Sequence, residues 1–76
     1  MHTLAETPAG GLVRIKVLNH HLPEVTIRLR EMGLRENSLV RCILHGNGNL
    51  ICEVQNTRIG IDHRLASSIL VSALEE

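Results

Sequence analysis

The sequence predicts a mainly β fold: a small, strongly bent barrel of about five strands, with a helix between strands 1 and 2 and a short helical turn before the last strand. Short runs in which apolar and polar residues alternate recur along the 76 residues, as in half-buried strands. A clear stretch of helical spacing lies between Pro23 and Gly33. A chain of this length hides only roughly 60% of its extended surface, so its aliphatic residues are expected to form one core in a single domain, residues 1–76.

The N-terminal third predicts a turn, a strand and a helix. Thr3 and Glu6 fit a capping box, although an ordinary frayed segment explains them equally well. Residues 12–18 alternate as a strand with three inward side chains: Val13, Ile15 and Val17. After a loop at residues 19–21, the helix has an apolar side and a charged side: Val25, Leu29 and Met32 inward, and Arg28, Arg30 and Glu31 toward water.

The helix is expected to begin at Pro23 and to end at Gly33. Proline suits the first helical position, where its missing N–H has no intrahelical partner. Gly33 is the expected left-handed residue of the C-terminal cap, with Leu34 packing back on the helix. A turn follows at residues 35–38, where Asn37 tolerates a positive φ.

Two alternating runs, residues 39–45 and 49–55, flank Gly46-Asn47-Gly48 and predict a hairpin. Centred on Asn47, this hairpin places three cross-strand pairs on its inward face: Val40 with Val54, Cys42 with Cys52, and Leu44 with Leu50. His45 is then expected on the face opposite Cys42. A shift of one residue in the pairing would move every side chain to the opposite face of the sheet. The apolar pattern therefore predicts one register.

The remaining elements are a turn at Asn56, a short strand at residues 58–61, a helical turn at residues 63–67 and a last strand at residues 68–72. Asp62 is the expected N-cap of the helical turn. Residues 75 and 76 form an acidic tail.

The two cysteines are predicted to pack in the core as small apolar side chains. A disulfide between them, or half of a metal site, is the alternative. The histidines are His2, His20, His21, His45 and His63. They are predicted to be solvated, with His20 and His21 pointing apart, and weak metal binding is their alternative. No cofactor, metal centre or catalytic group is predicted, since no Cys/His cluster, nucleophile elbow or phosphate-binding loop occurs.

Composition excludes several classes of partner. Eight basic and eight acidic residues balance, whereas a nucleic-acid-binding domain usually has a basic excess. Phe, Tyr and Trp are absent, so neither stacked bases nor a proline-rich peptide has an aromatic platform to bind. No apolar run is long enough for a membrane span, and no signal peptide is visible, which predicts a cytoplasmic protein.

The remaining candidate is a polar docking surface, formed by the exposed side of the helix and the hairpin tip. Its predicted residues are Arg28, Glu31, Arg35, His45 and Asn47. An ordinary solvated helix face would show the same pattern of charges.

Taken together, the chain resembles the FeoA family, the small cytosolic component of bacterial ferrous iron transport. The matching residues are Leu4, Pro8, Gly10, Val13, Ile15, Arg28, Leu29, Met32, Gly33, Leu34, Val40, Gly46, Ile61, Ala66, Ile69 and Val71. The chain departs from the family at three turns, with Glu36-Asn37 in place of Pro-Gly, Asn49 in place of Pro, and Asn56 in place of Gly.

The resemblance implies an SH3-like barrel that binds FeoB, the membrane transporter with a cytosolic GTPase domain, and that regulates or supports it without catalysis. Three alternatives are a domain related to the C-terminal domain of iron-dependent repressors, a nucleic-acid-binding barrel and a weak transition-metal-binding protein. The first lacks a preceding helix-turn-helix in this sequence, and composition opposes the second.

Overall fold

The computed structural model describes residues 1–18 and 20–74; the predicted loop position Asn19 and the predicted acidic tail at residues 75 and 76 lie outside them. Within that range the chain forms β1 (His2–Thr3), a 3₁₀ turn (Leu4–Glu6), β2 (Leu12–Leu18), α1 (Pro23–Glu31), β3 (Leu39–His45), β4 (Asn49–Val54), β5 (Thr57–Asp62), α2 (His63–Ala66) and β6 (Ile69–Ala73).

The strands form a single antiparallel sheet in the order β1-β6-β2-β3-β4-β5. The predicted mainly β barrel is therefore confirmed, with six strands in place of about five. The unpredicted strand is β1, whose two residues pair with β6, His2 opposite Val71 and Thr3 opposite Leu70. At the other end of the sheet, α2 contacts both β5 and the 3₁₀ turn that follows β1. The barrel is thus closed by helical packing between its two edges.

The core lies inside this curved sheet and is lined by side chains from every long element. Its members are Leu4, Val13, Ile15, Leu18, Leu29, Leu34, Val40, Cys42, Leu50, Cys52, Val54, Ile61, Ala66, Ile69 and Val71.

The predicted capping box at the N-terminus is present. The backbone N–H of Thr3 donates to Glu6 Oε1 at 2.8 Å, and the Thr3 hydroxyl lies 3.3 Å from the same oxygen. The hydrogen bond from the backbone of Thr3 lowers the pKa of Glu6, because it favours the charged carboxylate. This turn places Leu4 in the core, where it is fully buried.

The prediction that Val17 points inward is wrong. Val13 and Ile15 are buried, but the pairing of β2 with β6 shifts between Ile15 and Val17. A β-bulge of this kind inserts one residue and reverses the alternation beyond it. Leu18 is therefore buried in place of Val17, which is 38% exposed.

The helix α1 ends in a Schellman motif, as its sequence predicts. Gly33 has φ +97°, its N–H donates to the carbonyl of Arg30 at 3.0 Å, and the N–H of Leu34 donates to Leu29 at 3.0 Å. Leu29 and Leu34 are both buried. Together these bonds turn the chain from α1 toward β3.

The hairpin of β3 and β4 has the predicted register up to Cys42. Cys42 pairs with Cys52 and Arg41 with Glu53, and Val40 and Val54 are both buried. Beyond Cys42 the register shifts by one residue, so Leu44 pairs with Ile51 and His45 with Leu50. The predicted pairing of Leu44 with Leu50 is therefore wrong, and Leu44 is 48% exposed.

Asn37 and Asn56 stand where the FeoA family usually has glycine, and both have the left-handed backbone that glycine would adopt. Asn37 has φ +74°, and Asn56, which follows Gln55 at φ +53°, has φ +63°. Asparagine occupies the left-handed region more readily than other residues with a side chain. The two positive φ values of Gln55 and Asn56 join β4 to β5 in a two-residue hairpin turn.

Asp62 caps α2 as predicted: its Oδ1 accepts from the N–H of Leu65 at 2.7 Å. We expect Asp62→Ala to lower the free energy of unfolding by about 0.5–2 kcal/mol, because an N–H at the helix start loses its partner. Asp62→Asn keeps an acceptor oxygen and is the matched control. Urea unfolding followed by circular dichroism measures both, and equal losses in the two variants would contradict a capping role.

Candidate docking surface

The five predicted docking residues lie in three neighbourhoods of the barrel surface. Arg28 lies beside α2, Glu31 and Arg35 lie beside the turn between β4 and β5, and His45 and Asn47 belong to the hairpin of β3 and β4. The short helix α2 lies between the first and third neighbourhoods, because residues at its start reach both.

Arg28 lines an open cleft of about 270 Å³ between α1 and α2. The cleft has two apolar members, Val25 and Leu65, which both pack against the core. Its remaining members are polar or charged: His20, Arg28, Asp62 and Arg64. Two arginines face this cleft against the single carboxylate of Asp62, so its charges are mainly positive.

Glu31 and Arg35 line a separate shallow pocket of about 330 Å³, which also includes Met32, Gly33, Val54, Gln55, Thr57 and Ile59. The Arg35 side chain is partly committed to the fold, since its Nε donates to the carbonyl of Arg30 at 3.3 Å. This contact places a cation at the C-terminal end of α1, where the helix dipole favours it.

His45 does not lie on the face opposite Cys42, which corrects the prediction. Its Nε2 is 2.6 Å from the carbonyl oxygen of Thr7 and 3.5 Å from Sγ of Cys42. The shift in hairpin register after Cys42 turns the His45 ring to this side. His45 Nδ1 lies 2.9 Å from Nε2 of His63, the first residue of α2.

Asn47 is exposed at the hairpin tip, as expected. The tip is held against α2, because the backbone N–H of His63 donates to the carbonyl of Gly48 at 2.9 Å. His63 and Arg64 therefore connect the hairpin to the Arg28 cleft. Sequence reasoning did not select these two residues, since their link depends on the hairpin register, although their position beside the predicted cap Asp62 was a usable signal.

Among the described residues, one ion pair forms, between Arg30 and Glu36 at 3.0 Å. Arg28, Arg35 and Arg64 have no carboxylate within 4 Å in that part of the chain. Exposed ion pairs add little stability, so the Arg30–Glu36 pair is a minor term in folding. Arg28, Arg35 and Arg64 therefore remain available to an acidic partner.

The two cysteines are buried and unpaired, which confirms their placement in the core. Burial raises the pKa of Cys52 to about 12, with a further contribution from Cys42, and burial also raises the pKa of Cys42. Both thiols are therefore protonated at neutral pH, whereas the thiolate is the nucleophile and metal ligand.

His20 and His21 do not point apart as predicted. Their rings stack, with centroids 4.6 Å apart and an angle of 18° between the planes, and His20 Nδ1 accepts from the N–H of Leu22 at 3.1 Å. No group of three His, Cys, Asp or Glu side chains converges in a way that could hold a metal ion within residues 1–18 and 20–74. In the same range no helix is long and apolar enough to cross a bilayer.

Comparison of the fold with solved structures gives matches along nearly the whole chain. A FeoA protein of Stenotrophomonas maltophilia, described as an SH3 domain protein complexed with zinc, is 25% identical, with a TM-score of 0.83 over 95% of this chain and 91% of that one. An iron(II) transport protein A from Clostridium thermocellum is 23% identical, with a TM-score of 0.86 over 95% of this chain and 45% of that one.

A manganese-dependent transcriptional repressor shares the fold at a TM-score of 0.89, with 15% identity over 96% of this chain. The chain spans 41% of that repressor's length, so the likeness covers one part of a longer protein. No curated protein matches the chain in a sequence search. The FeoA domain model matches residues 2–73. With an SH3-like barrel and a family match over nearly all of its length, the chain belongs to the FeoA family.

Proposed function

We propose that this chain is a non-catalytic accessory protein of bacterial ferrous iron uptake, which binds the cytosolic GTPase domain of a FeoB-type membrane transporter. The observation that carries the proposal is the FeoA domain match over residues 2–73. The S. maltophilia relative is described as a candidate activating factor for ferrous iron transport. On this proposal residues 1–76 act as one domain at the cytoplasmic side of the membrane.

The chemistry of the described side chains favours a binding role over catalysis. Both thiols are protonated in the core, and Asp62 is engaged as a helix cap. A general base or nucleophile must instead reach its substrate in an accessible site. The surface instead carries arginines around two partly apolar clefts.

The proposed docking surface runs from the Glu31–Arg35 pocket, along α1 and the Arg28 cleft, to the hairpin tip at Asn47. Arginine is enriched where protein interfaces bind tightly, because its planar guanidinium combines charge with apolar packing. Val25 and Leu65 supply apolar contact area in the Arg28 cleft. We therefore expect a partner surface that is acidic and carries an apolar anchor.

Binding of the unmodified chain to the isolated GTPase domain, and to the full transporter in detergent, tests the proposal directly. Isothermal titration calorimetry at low and at physiological salt should give a saturable association that weakens as salt rises, because exposed charges are screened. If neither the isolated GTPase domain nor the full transporter binds the chain, the proposal is overturned.

The position of the surface is tested by the double charge reversal Arg28→Glu/Arg35→Glu. We expect association with the GTPase domain to weaken about tenfold or more, since interface charges govern encounter and orientation. Exposed substitutions usually change stability by only about ±0.5 kcal/mol, so the melting temperature should change little.

The matched control is Arg14→Glu/Lys16→Glu on β2, which makes the same change in net charge. Arg14 donates to the carbonyl of Asn37 at 2.9 Å, as Arg35 donates to Arg30, so both pairs contain one arginine bound to the backbone. Equal weakening in the two double variants would indicate a general charge effect and would remove α1 from the interface.

A further inference from the structure

His45 and His63 bring two ring nitrogens together from separate elements, the end of β3 and the start of α2. His45 Nδ1 and His63 Nε2 are 2.9 Å apart, and the two rings are tilted by 40° with centroids 5.1 Å apart. His45 belongs to the exposed residues and His63 to the half-buried ones, so solvent reaches the pair.

The hydrogen bonds of His45 define which nitrogen carries its lone pair. Its Nε2 lies 2.6 Å from the carbonyl oxygen of Thr7, and a carbonyl only accepts, so this nitrogen carries the proton. In the neutral ring Nδ1 is then unprotonated, so it accepts a hydrogen bond from Nε2–H of His63 at 2.9 Å. A histidine that binds a metal almost always donates its other ring N–H to a carbonyl or carboxylate in this way.

A divalent metal ion can replace this shared proton, with the His63 proton moving to Nδ1 of its own ring as the neutral tautomer changes. At a metal–nitrogen distance of about 2.0–2.1 Å, two ligands at a right angle have their nitrogens about 2.9 Å apart, whereas a tetrahedral angle needs about 3.3 Å. The pair therefore suits adjacent positions of an octahedral or square-planar ion. His45 is held by its bond to Thr7, so the His63 ring has to turn about its side-chain bonds until its Nε2 lone pair meets that of His45 Nδ1 at the ion.

We propose that His45 and His63 form a binding site for one divalent first-row transition-metal cation with imidazole preference, such as Ni²⁺ or Fe²⁺. Water completes the coordination, because no third His, Cys, Asp or Glu converges on the pair in the described part of the chain. Binding to the isolated protein is accordingly weak, and Ni²⁺ binds more tightly than Fe²⁺ by the general order of affinities.

The stacked pair His20 and His21 is the competing location within the chain. His20 Nδ1 accepts from the backbone N–H of Leu22 at 3.1 Å, and this donor cannot bind a metal ion, whereas the donor to His45 Nδ1 is a second imidazole. The rings of His20 and His21 are stacked face to face, so the ring edges that carry the nitrogens are not aimed at each other as those of His45 and His63 are. The proposal therefore predicts that the metal ion binds at His45 and His63 before His20 and His21.

The experiment uses Ni²⁺ and the imidazole proton signals of the intact chain. Because Phe, Tyr and Trp are absent, the five histidines supply all the aromatic side-chain signals, which makes their assignment direct. Substoichiometric Ni²⁺ is expected to broaden the signals of His45 and His63 before the other three. Mg²⁺, which prefers oxygen ligands, should leave the same signals unchanged.

Calorimetry with Ni²⁺ then compares His63→Gln with the control His20→Gln/His21→Gln. We expect His63→Gln to lower the association constant about tenfold or more, and the control to leave it within about twofold. Broadening led by His20 and His21, or an unchanged constant in folded His63→Gln, would overturn the proposal. Should His63→Gln fail to fold by circular dichroism, the order of broadening in the unmodified chain decides alone.

Discussion

Gly33→Val is expected to lower the free energy of unfolding by about 2–3 kcal/mol. The residue has φ +97°, where a side chain on an L-amino acid costs about 1–2 kcal/mol and a β-branched one costs more. An added Cβ would also lie 3.3 Å from Oε1 of Gln55 and 3.7 Å from Cγ1 of Val54. A domain of this size has roughly 4–11 kcal/mol of stability in total, so the melting temperature should fall by roughly 10 °C.

Alanine substitutions at Gly33 and Gly60 form the matched pair for this experiment. Gly60 lies in β5 without a positive φ, and an added Cβ there makes ordinary contact with Ile51 at 3.6 Å. Thermal unfolding followed by far-ultraviolet circular dichroism should show a clear loss for Gly33→Ala and little change for Gly60→Ala. If all three variants melt together with the unmodified chain, the left-handed cap of α1 does not exist in solution.

Alkaline pH is expected to destabilise the protein through its buried thiols. An unfolded cysteine ionises near pH 8.5, whereas burial raises the pKa of Cys52 to about 12 and also raises that of Cys42. Above pH 9 the unfolded chain therefore releases protons that the folded chain retains. The thiols' contribution to the free energy of unfolding should be constant below about pH 8, and above it the free energy should fall by up to about 1.4 kcal/mol per pH unit for each thiol.

The composition makes this effect unusually easy to isolate. The chain has no tyrosine, and its single lysine, Lys16, is exposed. Urea unfolding at pH values from 8 to 11, with a reductant present, should give a shallower pH dependence for Cys52→Ala than for the unmodified chain. Lys16→Gln is the control and should leave the slope unchanged. A slope that Cys52→Ala does not alter would show that this thiol ionises equally in both states.

The parts of the fold that were predictable from sequence are those with a local physical signal. Pro23 and Gly33 mark the two ends of α1, because each has a backbone preference that suits its position. Asp62 marks the start of α2, because its side chain accepts from a nearby backbone N–H. The turn at Asn37 followed from the tolerance of asparagine for a positive φ. The strand β1 has only two residues, too few to show any periodicity, so it depends on its partner β6.

The errors in strand register and facing have one physical origin, the β-bulge. Alternation fixes which face a residue occupies only while no residue is inserted, and both β2 and β3 contain an insertion. In β3 the residues Cys42, Ile43 and Leu44 are all apolar, so the pattern fits more than one register. His45 was therefore assigned to the wrong face, and its contact with His63 was not foreseeable. The predicted residues Arg28, Glu31, Arg35 and Asn47 do lie on the surface, and their role in docking stays a prediction.

The pairing of His2 with Val71 has a consequence for how the chain folds. These partners are separated by almost the entire sequence, so the sheet has a high contact order, and its final ladder forms only after a long loop has closed. During synthesis β1 must wait unpaired until β6 has emerged, while α2, which also packs beside the N-terminal turn, arrives just before it. We therefore expect folding on the ribosome to begin with the hairpins of β3, β4 and β5 and to finish, in one cooperative step, when the two ends of the chain meet.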